Sequence, residues 1–268
     1  MAIPIIMFGA AGRMGQTILR CAAEDPALEI AGGIEMPGSP AVGRTVGDLL
    51  GIPALKAVIV DDIAKAKAPA GSVLIDFSAP AATMANLAWA AEKGVAAVVG
   101  TTGLSAEQRA EVGAVARQIP LVFAPNMSVG VNTLFKIVGE VARILGESYD
   151  VEIVEMHHRF KKDAPSGTAK GLGEIIAEAM AGTYEELVVN GREGITGERP
   201  KRQIGMHALR GGDVVGDHTV SFTTSGERIE ITHRAHNRET FARGALRAAA
   251  WLSGKKPGLY DMRDVLGI

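Results

Sequence analysis

A chain of 268 residues with one cysteine and a net charge of −2 is long enough for two modest domains. It can bury roughly three quarters of its unfolded surface and needs no disulfide staples. Near-neutral charge, without any long block of like sign, excludes the electrostatic footprint of a nucleic-acid binder. Scarce aromatics beside abundant alanine, glycine and valine point to helices packed on sheets, an α/β class.

The opening M-A-I-P-I-I-M-F-G has no basic region and no cleavage site, so it reads as a strand at 3–8 rather than a signal peptide. After it come a helix through 19–23 and a strand at 28–34. Strands are expected at 57–60 and 73–77, a helix at 81–93 and a strand at 95–99. A helix over 105–118 opens on the capping-box pattern Ser-Ala-Glu-Gln, and a strand follows at 121–124. The repeated order of apolar run, small-residue turn and alanine-rich amphipathic segment is a βαβ rhythm. Cys21 falls in the first helix and reads as a small buried hydrophobe.

Near residue 127 the rhythm changes. A long helix is expected at 131–145, an alternating strand at 150–157, a helix at 168–181, and a glycine-rich, strand-like region from 203 to 233 that suits an antiparallel or mixed sheet. A final helix at 240–252 is expected to pack back on the first domain. The longest uncharged stretch, 118–135, is broken by prolines and polar residues, so no membrane span is expected. No internal repeat or low-complexity linker is visible.

Gly9-Ala10-Ala11-Gly12-Arg13-Met14-Gly15 follows the first strand and opens the first helix, where backbone N–H groups can hold a pyrophosphate. Its spacing is G-x-x-G-x-x-G rather than G-x-G-x-x-G, so alone it is weak. Glu35 ends the second strand, where an acidic side chain can accept from ribose hydroxyls; a solvated loop carboxylate is the bland alternative. Gly100-Thr101-Thr102-Gly103 and Ala124-Pro125-Asn126-Met127 also lie beyond strand ends, and Asp76 either lines the same crevice or serves a local turn.

His157-His158-Arg159-Phe160-Lys161-Lys162 gathers five potentially cationic side chains at a strand end, a local anion site in a neutral protein, with a solvated basic loop as the alternative. Zinc is a poor reading, since adjacent strand residues point to opposite faces. Asp163-Ala164-Pro165-Ser166-Gly167-Thr168 leads into the next helix. Its free N–H groups, Gly167 and Thr168 suit a carboxylate clamp, although an ordinary N-cap on Ser166 or Thr168 explains the same residues.

At these two segments the chain resembles the 4-hydroxy-tetrahydrodipicolinate (dihydrodipicolinate) reductase family. The carriers are G-A-A-G-R-M-G, G-T-T-G, N-M-S-V-G-V-N at 126–132, the closing W-L-S-G-K-K-P-G-L-Y-D-M-R-D-V-L, and above all E-M-H-H-R-F-K-K-D-A-P-S-G-T-A at 155–169. The resemblance spans essentially the whole chain. It implies a Rossmann-type dinucleotide-binding domain from 1–127 with 236–268, and an α+β substrate-binding and oligomerisation domain from 128–235. It further implies NADH or NADPH as cofactor, a small dicarboxylate substrate, a homotetramer and a cytoplasmic location in diaminopimelate and lysine biosynthesis. By motif position, Gly9, Ala10, Ala11, Gly12, Arg13, Met14, Glu35, Gly100, Thr101, Thr102, Ala124, Pro125, Asn126 and Met127 are implied cofactor contacts. His158, Gly167 and Thr168 are implied substrate contacts, with His157 and Lys161 in proton transfer.

The glycine loop and Glu35 would look much the same in another nicotinamide-dependent dehydrogenase, so only 155–169 separates the two. A dinucleotide-sensing regulator would need neither a histidine nor a lysine beside a carboxylate clamp.

Overall fold

The computed structural model describes residues 2–268. The first stretch alternates strands β1 (Ile3–Phe8), β2 (Leu28–Ile34), β3 (Ile59–Val60), β4 (Val73–Asp76), β5 (Ala96–Val99) and β6 (Pro120–Phe123) with helices α1 (Arg13–Ala23), α2 (Val46–Leu50), α3 (Pro80–Lys93) and α4 (Ala106–Val115). The middle stretch holds α5 (Val129–Leu145), β7 (Asp150–His157), α6 (Gly167–Ala179), α7 (Tyr184–Leu187), β8 (Val188–Asn190), β9 (Ile204–Arg210), β10 (Gly216–Thr224) and β11 (Glu227–Ala235). The last comprises α8 (Glu239–Leu252), β12 (Gly258–Tyr260) and α9 (Met262–Leu266). Among the described residues, no helix is long and apolar enough to cross a membrane.

The described residues form two compact units, one from residues 2–129 with 238–267 and the other from 130–237. Both crossings lie two residues further along than 127 and 235.

The first unit has a seven-stranded sheet in the order β12-β6-β5-β4-β1-β2-β3, parallel at every pairing. A parallel sheet is buried on both faces, so successive strand residues feed opposite cores. Ile5 and Met7 of β1 join Ile18, Leu19 and Cys21 of α1 and Ala245, Ala248 and Ala249 of α8. Ile6 instead joins Leu87 of α3 and Val112 and Val115 of α4 on the other side. The expected return of the last helix to the first domain is therefore observed. Strand β12 is only three residues long, too short for any periodicity, yet it pairs in parallel with β6 and extends the sheet.

In the second unit the sheet is mixed, in the order β11-β10-β7-β9-β8, with β7 antiparallel to β10 and parallel to β9. Every second residue of β7 is buried, which puts Val151 and Ile153 against Leu134 and Val138 of α5 and Leu172 and Ile176 of α6. Glu155 and His157 continue along that same buried face. A carboxylate and an imidazole thus end a strand whose earlier residues are core.

Candidate functional site

In the first unit, five turns collect at the carboxyl ends of parallel strands, and the order reverses between β1 and β4. This is the place where open α/β sheets hold ligands. Gly9 leaves β1 with φ +75°, and its N–H and that of Ala10 donate to the Ile34 carbonyl at 3.0 and 3.1 Å. A Cβ on Gly15 would lie 2.1 Å from the Gly9 carbonyl oxygen, so only glycine lets α1 start this close beneath the turn. The N-cap of α1 is Gly12, which supplies no side-chain acceptor. The helix therefore begins with N–H groups free of any side-chain cap, the positive end that an anion can occupy.

Glu35 stands at the end of β2 and accepts from Ala11 N at 2.9 Å and from Met36 N at 3.0 Å. An ionised carboxylate has about four acceptor positions, so capacity remains for a diol. Arg13 is exposed at the loop, and Met36 is 68% exposed.

Asp76 resolves toward the local role. It is wholly buried and accepts from Ser78 N and Oγ, Asn86 Nδ2 and Thr101 Oγ1. Thr101 Oγ1 also receives Thr83 Oγ1 and Ser78 N. Asp76 therefore ties the turn after β4 to the turn after β5, and Thr101 keeps only its backbone for a ligand, while Thr102 is exposed. After β6, Ala124 N donates to the Val99 carbonyl and Asn126 Oδ1 accepts from Ser128 N at 2.9 Å, fixing the last of these turns.

In the second unit, Glu155 is the hub. At 0% exposure it receives both guanidinium nitrogens of Arg210 at 2.8 and 2.9 Å, Ser166 N at 3.0 Å, and pairs with His157 Nδ1 at 2.7 Å. Sheet register explains the gathering: Arg210 lies beside His157 on β9 and His218 lies opposite Glu155 on β10. The His218 ring meets that of His157 edge-on at 5.2 Å, and its Nε2 is 3.1 Å from Ser166 Oγ.

Burial is the largest influence on the Glu155 carboxyl and opposes ionisation. Hydrogen bonds from Arg210, His157 and Ser166 N outweigh it, so its pKa lies below the usual value. Burial also dominates at His157 and lowers its pKa; Glu155 offsets part of this, while the charges of Lys161 and Arg210 add to the lowering. His157 is accordingly neutral at neutral pH. Its neighbour His218 is driven to about 3, first by burial and then by His157.

Ser166 is the N-cap of α6, accepting from Ala169 N at 3.2 Å, which places Gly167 and Thr168 in the first turn. The ordinary cap and the exposed helix start thus coexist. A Cβ on Gly167 would meet nothing within 4 Å, so the protein's own packing does not demand glycine there.

The basic run does not assemble as one cluster. Arg159 stacks over the exposed Phe160 ring at 5.9 Å and Lys162 faces solvent. Lys161, only 20% exposed, pairs with Asp163 at 2.9 Å and lies within charge range of His157. The Nδ1 of His158 is buried without a hydrogen-bond partner. The cation actually joined to His157 through Glu155 is Arg210, which sequence reasoning missed together with Glu155, Ser166 as a connector, and His218.

Comparison with known proteins adds the missing identity. The family model for dihydrodipicolinate reductase, N-terminus, matches residues 3–127, and that for dihydrodipicolinate reductase, C-terminus, matches residues 130–266. The chain belongs to the dihydrodipicolinate reductase family. The 4-hydroxy-tetrahydrodipicolinate reductase of Anaeromyxobacter dehalogenans (strain 2CP-C) is 53% identical over 264 residues, covering 98% of this chain and 97% of its own. That of Citrifermentans bemidjiense is 52% identical over 266 residues, 99% of each chain. The same architecture occurs in a dipicolinate-bound dihydrodipicolinate reductase from Paenisporosarcina sp. TG-14, with TM-score 0.73 and 22% identity over 97% of this chain and 98% of that one. A more distant likeness in fold is an amine dehydrogenase from Mycobacterium smegmatis, TM-score 0.58 and 14% identity, covering 96% and 94%. Within the dihydrodipicolinate reductase family signature at 155–169, the one sign pointing to the hub was a glutamate two residues before His157 on an alternating strand.

Proposed function

We propose that this protein reduces 4-hydroxy-tetrahydrodipicolinate, by way of dihydrodipicolinate, to tetrahydrodipicolinate with NADH or NADPH, in diaminopimelate and lysine biosynthesis. The observation that carries the reading is the Glu155-centred cluster, which joins His157 to the start of α6 in a chain that matches the reductase family from end to end.

The unit containing the glycine loop is the dinucleotide-binding domain. Gly9, Ala10, Ala11, Gly12, Arg13 and Met14 cradle the pyrophosphate on backbone N–H groups, Glu35 holds ribose hydroxyls, and the turns at Gly100–Thr102 and Ala124–Met127 flank the remainder. The residues fit such a group: a left-handed glycine, a close glycine contact and an uncapped helix start leave room and donors for a phosphate. A reduced nicotinamide bound there supplies a hydride.

The other unit binds the substrate dicarboxylate. Gly167 and Thr168 receive one carboxylate at the positive end of α6, and His158, with its unsatisfied buried Nδ1, contacts the substrate. Dipicolinate, the planar dianion bound in the Paenisporosarcina relative, has the two carboxylates such a site requires. After hydride arrives at C4 of the substrate, the adjacent carbon must take a proton. The Lys161 ammonium donates it and is left as an amine; neutral His157 accepts a proton from solvent and passes it to that amine, which resets the site.

The second face of the mixed sheet presents Val154, Met156, Leu209 and Thr219, none fully buried, as the surface of a homotetramer. A cytoplasmic location suits a chain whose single cysteine, Cys21, is a buried thiol.

The test is a spectrophotometric assay in which pyruvate and aspartate semialdehyde are condensed by the upstream synthase and nicotinamide absorbance is followed. Loss of NADH or NADPH absorbance is expected; no loss with either sinks the reading.

A further inference from the structure

We infer that Glu155 is a positioning residue that locks His157 in a single tautomer, with the proton on Nδ1 and the Nε2 lone pair free toward the reacting substrate.

The argument is one of donors and acceptors. Glu155 is fully buried, and three of its four hydrogen bonds come from groups that can only donate: two guanidinium N–H groups of Arg210 and the backbone N–H of Ser166. A carboxylate surrounded in this way is ionised and can only accept. The remaining contact, at 2.7 Å to His157 Nδ1, must therefore run from the ring to the carboxylate. With Nδ1 carrying the proton, neutral His157 has its lone pair on Nε2. Gly216 of β10 lies against that edge of the ring: a Cβ added there would stand 3.0 Å from Nε2 and crowd the lone pair.

The other bonds of Glu155 make the lock rigid. Arg210 Nη2 also donates to the Asp163 carbonyl at 2.7 Å, so the guanidinium braces the carboxylate against the loop that carries Lys161. Ser166 N ties the same carboxylate to the first residue before α6. One buried anion therefore sets the histidine tautomer, the base of the Lys161 loop and the helix start together. Among the described residues, Glu155 is the acceptor at His157 Nδ1, so the tautomer depends on it.

Substitution by glutamine separates this role from simple packing. In Glu155→Gln the amide oxygen is best kept at the Oε1 position, toward Ser166 N and Arg210 Nη2, which turns the NH2 group toward His157 Nδ1 and Arg210 Nη1. Nδ1 must then accept, the ring proton moves to Nε2, and the lone pair facing the substrate is lost. Shape is nearly conserved. The influence on rate rests on the reading of His157 as a proton-transfer group; the tautomer assignment does not.

The experiment is nitrogen-15 NMR of histidine-labelled protein near neutral pH, with steady-state kinetics of Glu155→Gln and His157→Gln. The unmutated protein should show His157 protonated at Nδ1; a ring protonated at Nε2 overturns the inference, whether or not any variant folds. Glu155→Gln should show the opposite tautomer and a kcat lower by about 10²-fold or more, with the NADH dissociation constant unchanged. If Glu155→Gln keeps the His157 ring signal and the kcat of the unmutated protein, the inference is overturned as well. If His157→Gln turns over normally, the proton-transfer reading of His157 fails while the NMR result still decides the tautomer. If His157→Gln is inactive and Glu155→Gln fully active, the positioning role fails alone.

Discussion

The backbone N–H of Ala11 donates to Glu35 Oε2 at 2.9 Å, latching the glycine turn after β1 to the end of β2. One carboxylate therefore shapes the loop and, in the proposed reading, keeps acceptor positions for a ribose. With Met36 beside it instead of an arginine, nothing at that position recruits a 2′-phosphate, although Arg13 in the loop can tolerate one. NADH should be used at least as efficiently as NADPH. Glu35→Ala should weaken NADH binding by about tenfold or more, the loss of a hydrogen bond to a charged group. Catalytic efficiencies with the two cofactors check this, and a large preference of the unmutated protein for NADPH would refute it.

Lys161 is the expected proton donor. Lys161→Ala should lower turnover by about 10² to 10⁴-fold, with NADH dissociation constants unchanged because the nucleotide groups belong to the other unit. A rise in the Michaelis constant would show that the ammonium also holds a substrate carboxylate. Normal turnover by the folded variant would transfer the donor role to His157 or to water.

Pyridine-2,6-dicarboxylate should inhibit competitively against the substrate. Its affinity should weaken as salt rises, because part of the attraction comes from partly exposed cations and a helix terminus. Initial-rate patterns decide the matter: competition with NADH alone would move the dianion to the wrong unit.

Acid should destabilise the protein through His218. Its folded pKa of about 3 lies below the ordinary 6.5, so the unfolded chain takes up a proton first as pH falls. The stabilising contribution is thus complete above about pH 6.5 and is lost progressively as pH falls toward 3. His157, also depressed, acts in the same direction. Between pH 7 and 5 the His218 share is about 2 kcal/mol. Urea unfolding at the two pH values should show that His218→Gln loses less stability on acidification than the unmutated protein; equal losses would place the His218 ring in water.

The sequence placed the turns but not their internal wiring. Gly9 and Gly15 were visible because glycine spacing after an apolar run has few other uses, and Ser105 with Gln108 was visible because a capping box is closed within four residues. Asp76 could not be resolved from its neighbours, since Thr101 and Asn86 reach it from a different strand end and a different helix. The basic run suggested one anion site, yet chain direction after β7 sends Arg159 and Lys162 to solvent and keeps Lys161 near His157.

Local order was what the sequence determined by itself: the βαβ rhythm, the change of rhythm near residue 127, the glycine turn, and a strand-to-helix segment that resembles one family over fifteen consecutive positions. These features are short-range, written in periodicity and in residues with restricted or unusual backbone freedom. Only the tertiary structure decided that Arg210 and His218 join Glu155 and His157. Their meeting depends on the parallel register of β9 and the antiparallel register of β10 against β7. A strand's partner and register are set by which faces the whole sheet must bury, and a shift of one residue would send every one of these side chains to the opposite face.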